Sequence, residues 1–284
     1  MIDEKVFSYD VKVTINGLKD INLAEITIPE KIQGYPVTFI GDKAFVGCNS
    51  LSSIEIPNGV TSIGHSAFYG CSNLNTIKIP NSVTYIGDRA FVKCNSLSSI
   101  EIPSGVISIG DVAFYECSSL ESIEIPSSIT SIGHSAFYRC SSLRSIKIPD
   151  GVTAIKSYTF FGCSSLESIE IPNSVTSIGH SVFYGCDNLR SIEIPNSVTF
   201  IESSAFYGCG GLNSIKIPNS VTSIGWGVFL GCSNLRSIEI PNSVTFIENN
   251  AFDCCIDFNI ITPMGSYAEA YAKKNNIPYY NKEI

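Results

Sequence analysis

The sequence predicts a repeat solenoid: a stack of short coils, each a strand, a turn, a second extended segment and a tight connection to the next strand. Three observations predict it. Proline recurs in steps of 23 from Pro57 to Pro241, nine times. Phenylalanine keeps the same step from Phe45 to Phe252, ten times without a miss. Leucine keeps it from Leu51 to Leu235, with Phe258 in the next slot, and cysteine from Cys48 to Cys255. Self-similarity at a fixed period outweighs local propensity, and one slipped residue would have broken every column. Nine 23-residue units therefore run from Leu51 to Asp257.

The first unit shows the elements in order. Its apolar positions are Leu51, Ile54, Ile56, Val60, Ile63, Ala67, Phe68 and Cys71. Ile54 and Ile56 alternate with Ser53 and Glu55, the period of a strand with one buried face. Pro57 has no N–H to continue a ladder and ends the strand. Asn58-Gly59 turns the chain, and Val60–Ile63 forms a second short extended segment. After Gly64, "HSAFYGC" is too short for a stable helix and suits one helical or 3₁₀ turn. One unit cannot enclose its own apolar side chains. Stacked at the ~4.8 Å strand spacing, successive units share a continuous core.

The ends need covers. Val11, Val13 and Ile15 alternate with Lys12 and Thr14, and Asn16-Gly17 follows, which reads as a capping strand and a turn. At the other end Ser266 and Glu269 have capping-box spacing for a helix of ~10 residues. Asn275-Asn276 and Pro278 stop it.

The pattern LxxIxIPxxVxxIGxxAFxxC, seen in "LSSIEIPNGVTSIGHSAFYGC" and again up to "NSVTFIENNAFDCC", resembles the leucine-rich repeats of the bacterial surface protein A-like (BspA-like) family. "ITIPEKIQGYPVTFIGDKAFVGC" (26–48) resembles the family's first repeat, with five extra residues between Pro29 and Val37. "GSYAEAYAKKNNIPYY" (265–280) resembles its C-terminal cap. The resemblance covers roughly residues 9 to 280. It implies a leucine-rich repeat fold with a parallel sheet on the concave face and short extended and turn segments on the convex side. It also implies a surface-exposed or secreted protein that adheres to other proteins or host matrix. The organisation expected is one repeat domain. A cap strand occupies 1–22, a longer first repeat 23–50, the nine regular units 51–257 and a cap with a short helix 258–284.

Composition narrows the function. With 44% hydrophobic and 15% charged residues the chain can bury a large core. A formal charge of −8 without a Lys/Arg cluster argues against a nucleic-acid grip. No apolar run approaches the ~18 residues of a membrane span. The start "MIDEKVFSYD" lacks the basic-then-apolar layout of a signal peptide, which leaves a cytoplasmic location open beside the surface one that the family implies.

The cysteines could be disulfides, metal ligands or packing. In-phase cysteines would lie ~5 Å apart at Cβ, beyond the ~3.5–4.5 Å of a disulfide, and a straight column offers no tetrahedral convergence for zinc. Packing is the expectation, with a small soft side chain filling the turn back toward the next strand. Cys254 stands where most units carry Gly and reads as an exposed free thiol. His65, His134 and His180 share one column, ~10–15 Å apart from the strand spacing, too far to share a metal. No P-loop, dinucleotide fingerprint, HExxH or GxSxG is present. No cofactor, metal site or catalytic residue is expected.

The outward strand column reads Glu55, Lys78, Glu101, Glu124, Lys147, Glu170, Glu193, Lys216, Glu239. Alternating signs serve solubility, but Glu101/Glu124 and Glu170/Glu193 put like charges together on a serine-lined face suited to a basic or polyhydroxylated partner. The ~5 Å separation is that of a retaining glycosidase pair, yet an open ribbon offers no pocket to raise one pKa. Phe39, Tyr85, Phe200 and Phe246 replace the usual Ser before the second buried Ile. Phe200, Trp226 and Phe246 fall in three consecutive coils, where outward aromatics can mark an interface. The candidate binding surface is thus Glu101, Glu124, Lys147, Glu170, Glu193, Phe200, Trp226 and Phe246. The expected function is non-enzymatic binding of a protein or extracellular-matrix ligand, against the alternative of an intracellular interaction scaffold.

Overall fold

The structure, a computed structural model, describes residues 7–9, 14–18 and 22–282. The chain divides into two compact units, residues 1–143 and 144–284. Each is a parallel-strand β-solenoid of ~23-residue coils.

In the first unit every coil contributes two strands to two separate ladders. Glu25–Thr27, Ser53–Glu55 and Thr76–Lys78 pair in parallel, as do Ser99–Glu101 and Ser122–Glu124. Phe39–Ile40, Ser62–Ile63 and Tyr85–Ile86 form the second ladder, continued by Ser108–Ile109 with Ser131–Ile132. The regular coils pair residue i with i+23, so Ile54 faces Ile77 and each Ile stays inside. The turn after the proline closes with the Val60 N–H donating to the Pro57 carbonyl at 3.1 Å.

The connecting segment forms a third wall. Ala67, Tyr69 and Cys71 N–H groups donate three residues back, while Ser66, Phe68 and Gly70 donate to Asp88, Ala90 and Val92 of the next coil. The i→i+3 bonds of a 3₁₀ turn are present but never consecutive. Residues of positive φ interrupt them, Ser66 at 54° and Gly70 at 74°, and the same two columns are left-handed in nearly every coil.

All eight apolar positions read from the first unit are buried, seven at 3% exposure or less and Ile56 at 7%. Phe45, Phe68, Phe91, Phe114 and Phe137 stack face to face with centroids 5.0–5.5 Å apart. Each stacked pair adds about 0.5–1.5 kcal/mol beyond the area buried.

The first coil is extended by a hairpin. The five extra residues pair Lys31–Ile32 antiparallel with Tyr35–Pro36. Gln33 (φ 52°) and Gly34 (φ 85°) take the left-handed conformations of a two-residue hairpin turn. The N-terminal cap corrects one expectation. Asn16-Gly17 makes no turn. It lies inside strand β2 (Thr14–Leu18), which pairs antiparallel with β1 (Phe7–Tyr9) and parallel with Phe39–Ile40. The antiparallel partner comes from upstream, so the extra residue is absorbed as a bulge: Ser8 faces Gly17, Tyr9 faces Ile15, and Asn16 is left over. Ile15 is fully buried; Val11 and Val13 lie outside the described residues.

The second unit repeats the scheme. Its strands are Ser145–Lys147 with Ser168–Glu170, and Ala154–Ile155, Ser177–Ile178 and Phe200–Ile201 in order. A further pair is Ser223–Ile224 with Phe246–Ile247. Ser191–Glu193 has the same sequence pattern as its neighbours but forms no strand, so the sheet resumes only at Ser214–Lys216. From there Ser237–Glu239, Asn259–Pro263 and Tyr279–Lys282 follow in parallel. Between the last two, helix α1 (Tyr267–Lys274) forms as its box predicts. The Ser266 hydroxyl accepts the Glu269 N–H at 3.1 Å, and the Glu269 carboxylate accepts from Gly265 N–H. Tyr271 lids the phenylalanine stack, its ring 6.1 Å from Phe252 and its hydroxyl donating to the Glu248 and Asn249 carbonyls.

Candidate binding surfaces

Strand alternation buries each isoleucine and exposes the residue beside it. In the first unit Glu55, Lys78, Glu101 and Glu124 all face solvent. Glu101 lies directly opposite Glu124 across the ladder, so the like-charge pair is real. In the second unit the Lys147 amine sits 3.2 Å from Glu170. Lys216 chooses Glu239 at 3.6 Å, where Lys282 of the cap joins at 3.0 Å. Glu193, exposed between Glu170 and Lys216, has no ion-pair partner among the described residues. Over this face lies a groove of about 870 Å³, with Asp150, Glu170, Glu193, Glu239 and Lys216 as its charged lining and Asn173, Asn196 and a row of serines beside them. Four carboxylates against one ammonium give it an acidic character.

The outward aromatics stand where the pattern placed them. Phe200 is 67%, Trp226 52% and Phe246 48% exposed. They do not meet: Ser223 pairs with Phe246 on the ladder, which puts Phe200 and Phe246 two strand spacings apart, ~10 Å. Among the described residues no ring contact joins the three.

A second aromatic column escaped the sequence reading. Directly after the core phenylalanine come Tyr69, Tyr115, Tyr138, Phe161, Tyr184 and Tyr207. Tyr115 stacks on Tyr138 at 4.5 Å in the first unit, and Phe161, Tyr184 and Tyr207 stack at 4.4 Å in the second. The signal was the 23-residue recurrence itself, applied to a half-buried column. His180 lies edge-on to Tyr158 at 5.1 Å, while His65 is half-buried and His134 exposed.

The cysteines do more than fill space. From Cys71 on, thiols of the repeat column donate to the carbonyl of the phenylalanine 26 residues before: Cys71 to Phe45 at 3.0 Å, Cys94 to Phe68 at 3.2 Å, Cys117 to Phe91 at 3.0 Å. Each of these carbonyls also accepts the N–H of the cysteine three residues on, as Phe45 does from Cys48 and Phe68 from Cys71 at 3.2 Å, so the thiol is its second donor. The cysteines are free thiols, and burial pushes the Cys71 and Cys117 thiols up to about 12 and Cys94 and Cys186 well above their ordinary value. Such thiols are inert nucleophiles. Cys254 is exposed, at φ 61° in the column that other coils fill with Gly. Among the described residues no three His, Cys, Asp or Glu side chains gather as metal ligands would, and no helix is long and apolar enough to cross a membrane.

The signature described as the BspA type leucine rich repeat region, in six copies, matches residues 38–167 and 153–272. No curated protein matches the chain. Among solved structures, the leucine-rich repeat protein of T. pallidum is 34% identical, with 66% of this chain and 90% of that one covered at a TM-score of 0.63. A leucine-rich repeat protein from Bacteroides ovatus is 28% identical over 100% of this chain and 99% of its own, at 0.50. One from Eubacterium ventriosum, 23% identical over 88% of this chain and 77% of its own at 0.55, shares the fold. With more than half its length matched by the repeat signature, the chain belongs to the BspA-type leucine-rich repeat family.

Proposed function

We propose that the protein is a non-enzymatic binding protein, displayed at the cell surface or secreted, that takes a basic or polyhydroxylated segment of a protein or extracellular-matrix ligand on the strand face of its second unit. The observation that carries this is the acidic groove in which Glu193 has no counter-ion. An exposed carboxylate between another carboxylate and a lysine already engaged elsewhere leaves a negative potential for a ligand cation to neutralise. Family membership supports a binding role and a surface location.

The test is capture of purified extracellular-matrix proteins on an immobilised chain, before and after Glu170→Lys with Glu193→Lys. The proposal expects loss of capture with an unchanged thermal melt; capture that survives the charge reversal would refute the acidic groove. Protease shaving of intact cells reads the location independently, since peptides released from this chain place it outside. A second reading, an intracellular scaffold, is favoured by the free thiols and predicts no released peptides.

A further inference from the structure

The turn face of the first unit carries charge of the opposite sign. A groove of about 590 Å³ runs along the connecting segments of its first four coils. Its rim is Lys43, Arg89 and Lys93, with His65 between; its floor is Val46, Val92 and Val112 with the Tyr69 and Tyr115 rings. Among the described residues no carboxylate lines it, and Lys93 leans on Glu116 at 3.8 Å at its edge. This is unusual for a chain of formal charge −8. The matching columns of the second unit are Tyr158, Ser181, Ser204 and Gly227, and Gly162, Gly185, Gly208 and Gly231, without a lysine or arginine.

The backbone adds an independent observation. Lys43 and Arg89 stand at φ 58°, Lys93 at 59° and Val112 at 61°. The left-handed region disfavours every residue with a Cβ and is a true outlier for a β-branched one. Lys93 stands in the column that the second unit fills with glycine at 162, 185, 208 and 231, whereas the column of Lys43, Arg89 and Val112 is left-handed there too, with Tyr158, Ser181 and Ser204 before Gly227. At Lys93 a long cation is therefore held on this surface in a conformation that glycine would relieve, a pattern that points toward function.

We propose that this groove docks an acidic polypeptide segment bearing an apolar side chain. Its carboxylates would meet Lys43, Arg89 and Lys93, and its apolar side chain would cover Val46 and the neighbouring rings. Charge complementarity selects an anion, and the floor selects which kind. Val46 is 44% exposed, and covering it rewards an apolar group that a nucleic acid or a sulfated glycan does not bring. Asp42, Asp88 and Asp111 stand in the adjoining column, with Asp42 and Asp88 accepting N–H groups of the next coil, and they repel a densely charged polymer. The N–H groups of Lys43, Phe45 and Gly47 are already donated to the following coil, so side chains do the recognising rather than an added strand. Three coil intervals at ~4.8 Å span ~14 Å, the length of four or five extended residues.

The experiment is fluorescence anisotropy of the full chain with a fluorescein-labelled peptide in which glutamates flank one phenylalanine and one leucine. Binding is expected to weaken at least tenfold in Arg89→Glu with Lys93→Glu, and severalfold when the peptide's two apolar residues become serine. Glu170→Lys with Glu193→Lys should leave it unchanged. If the reversal variant fails to fold, Arg89→Ser and Lys93→Gly, residues already present in those columns, replace it. Equal binding by the variants, tighter binding of heparin than of the peptide, or displacement by a second copy of the chain would each overturn the proposal.

Discussion

Raising the pH should unfold this protein through its buried cysteine columns, earlier and more steeply than the loss of surface charge would. Cys71, Cys94 and Cys117 in the first unit and Cys186, Cys209 and Cys232 in the second are at 0% exposure, and burial raises the pKa of all six above the ordinary value of 9.0. The sign follows from linkage. The unfolded chain releases these protons near pH 9 while the folded chain keeps them, so their contribution is intact below that pH. It is lost as pH rises toward the folded values. Each such thiol removes ~1.4 kcal/mol per pH unit. Between pH 9 and 10 the unfolded thiol is still only partly ionised and loses ~1 kcal/mol, so three per unit remove ~3 kcal/mol, a large part of the ~5–15 kcal/mol of a typical domain. Urea unfolding followed by far-UV circular dichroism, in reductant, at steps from pH 7 to 10.5, reads the slope. In Cys71→Ala with Cys94→Ala and Cys117→Ala the first unit should be less stable at pH 7, because three buried sulfurs and their bonds to the Phe45, Phe68 and Phe91 carbonyls are removed. It should also be flatter toward alkali. A stability independent of pH up to 10, or an unchanged slope in the triple variant, would refute the reasoning.

Other perturbations probe the stack and its turns. Phe206→Ala empties a site stacked at 5.3 and 5.5 Å on either side and should cost about 3–5 kcal/mol by urea denaturation. Cys254→Gly relieves an exposed residue at φ 61°. It should stabilise by roughly 0.5–1 kcal/mol and abolish the fastest-reacting thiol in a colorimetric thiol assay. Gly133→Ala would drive a Cβ to 2.5 Å from the backbone of Gly110 and Asp111 and should cost about 1–3 kcal/mol. Gly225→Ala in the same column meets nothing nearer than the Ser203 hydroxyl at 3.8 Å, and its melt should barely move.

What the sequence displayed clearly was whatever the repeat itself enforces. Phe68, Cys71 and Ile77 are buried because each has an identical neighbour 23 residues away on both sides, and that fact is written in the spacing. Helix α1 was legible because the Ser266–Glu269 box is a local rule. The hairpin at 31–36 appeared only as five surplus residues, since Gln33-Gly34 is a weaker turn signal than Asn-Gly. The Asn16-Gly17 turn misled because the strand that pairs with β2 lies before it. For the surfaces, alternation put Glu170 and Glu193 outside correctly. That Lys216 would bind Glu239 and leave Glu193 alone follows from the ladder, which sets Lys216 opposite Glu239 while Ser191–Glu193 forms no strand, a break that its repeat sequence does not display. The basic groove was hidden because it joins several adjacent columns, and a column-by-column reading never sets Lys43 beside Lys93.

The left-handed turn columns separate residues kept for stability from residues kept for display. At the position filled by glycine in coils such as those of Gly47, Gly70 and Gly162, three successive coils carry Lys93, Glu116 and Arg139, at φ 59°, 58° and 54°. Each conformation costs a residue with a side chain about 1–2 kcal/mol. The return within the fold is a chain of two ion pairs, Lys93–Glu116 at 3.8 Å and Glu116–Arg139 at 3.7 Å, with the Arg139 guanidinium over the Tyr138 ring at 5.5 Å, a contact of about 0.5–1 kcal/mol at an exposed site. Both basic side chains are about half exposed, and such pairs contribute ~0–1 kcal/mol each. Three strained residues against two weak pairs and one cation–π contact leave a net loss, so folding stability does not explain why glycine is absent there. The proposed acidic segment accounts for that balance, since the groove that Lys93 borders is where it would meet these charges.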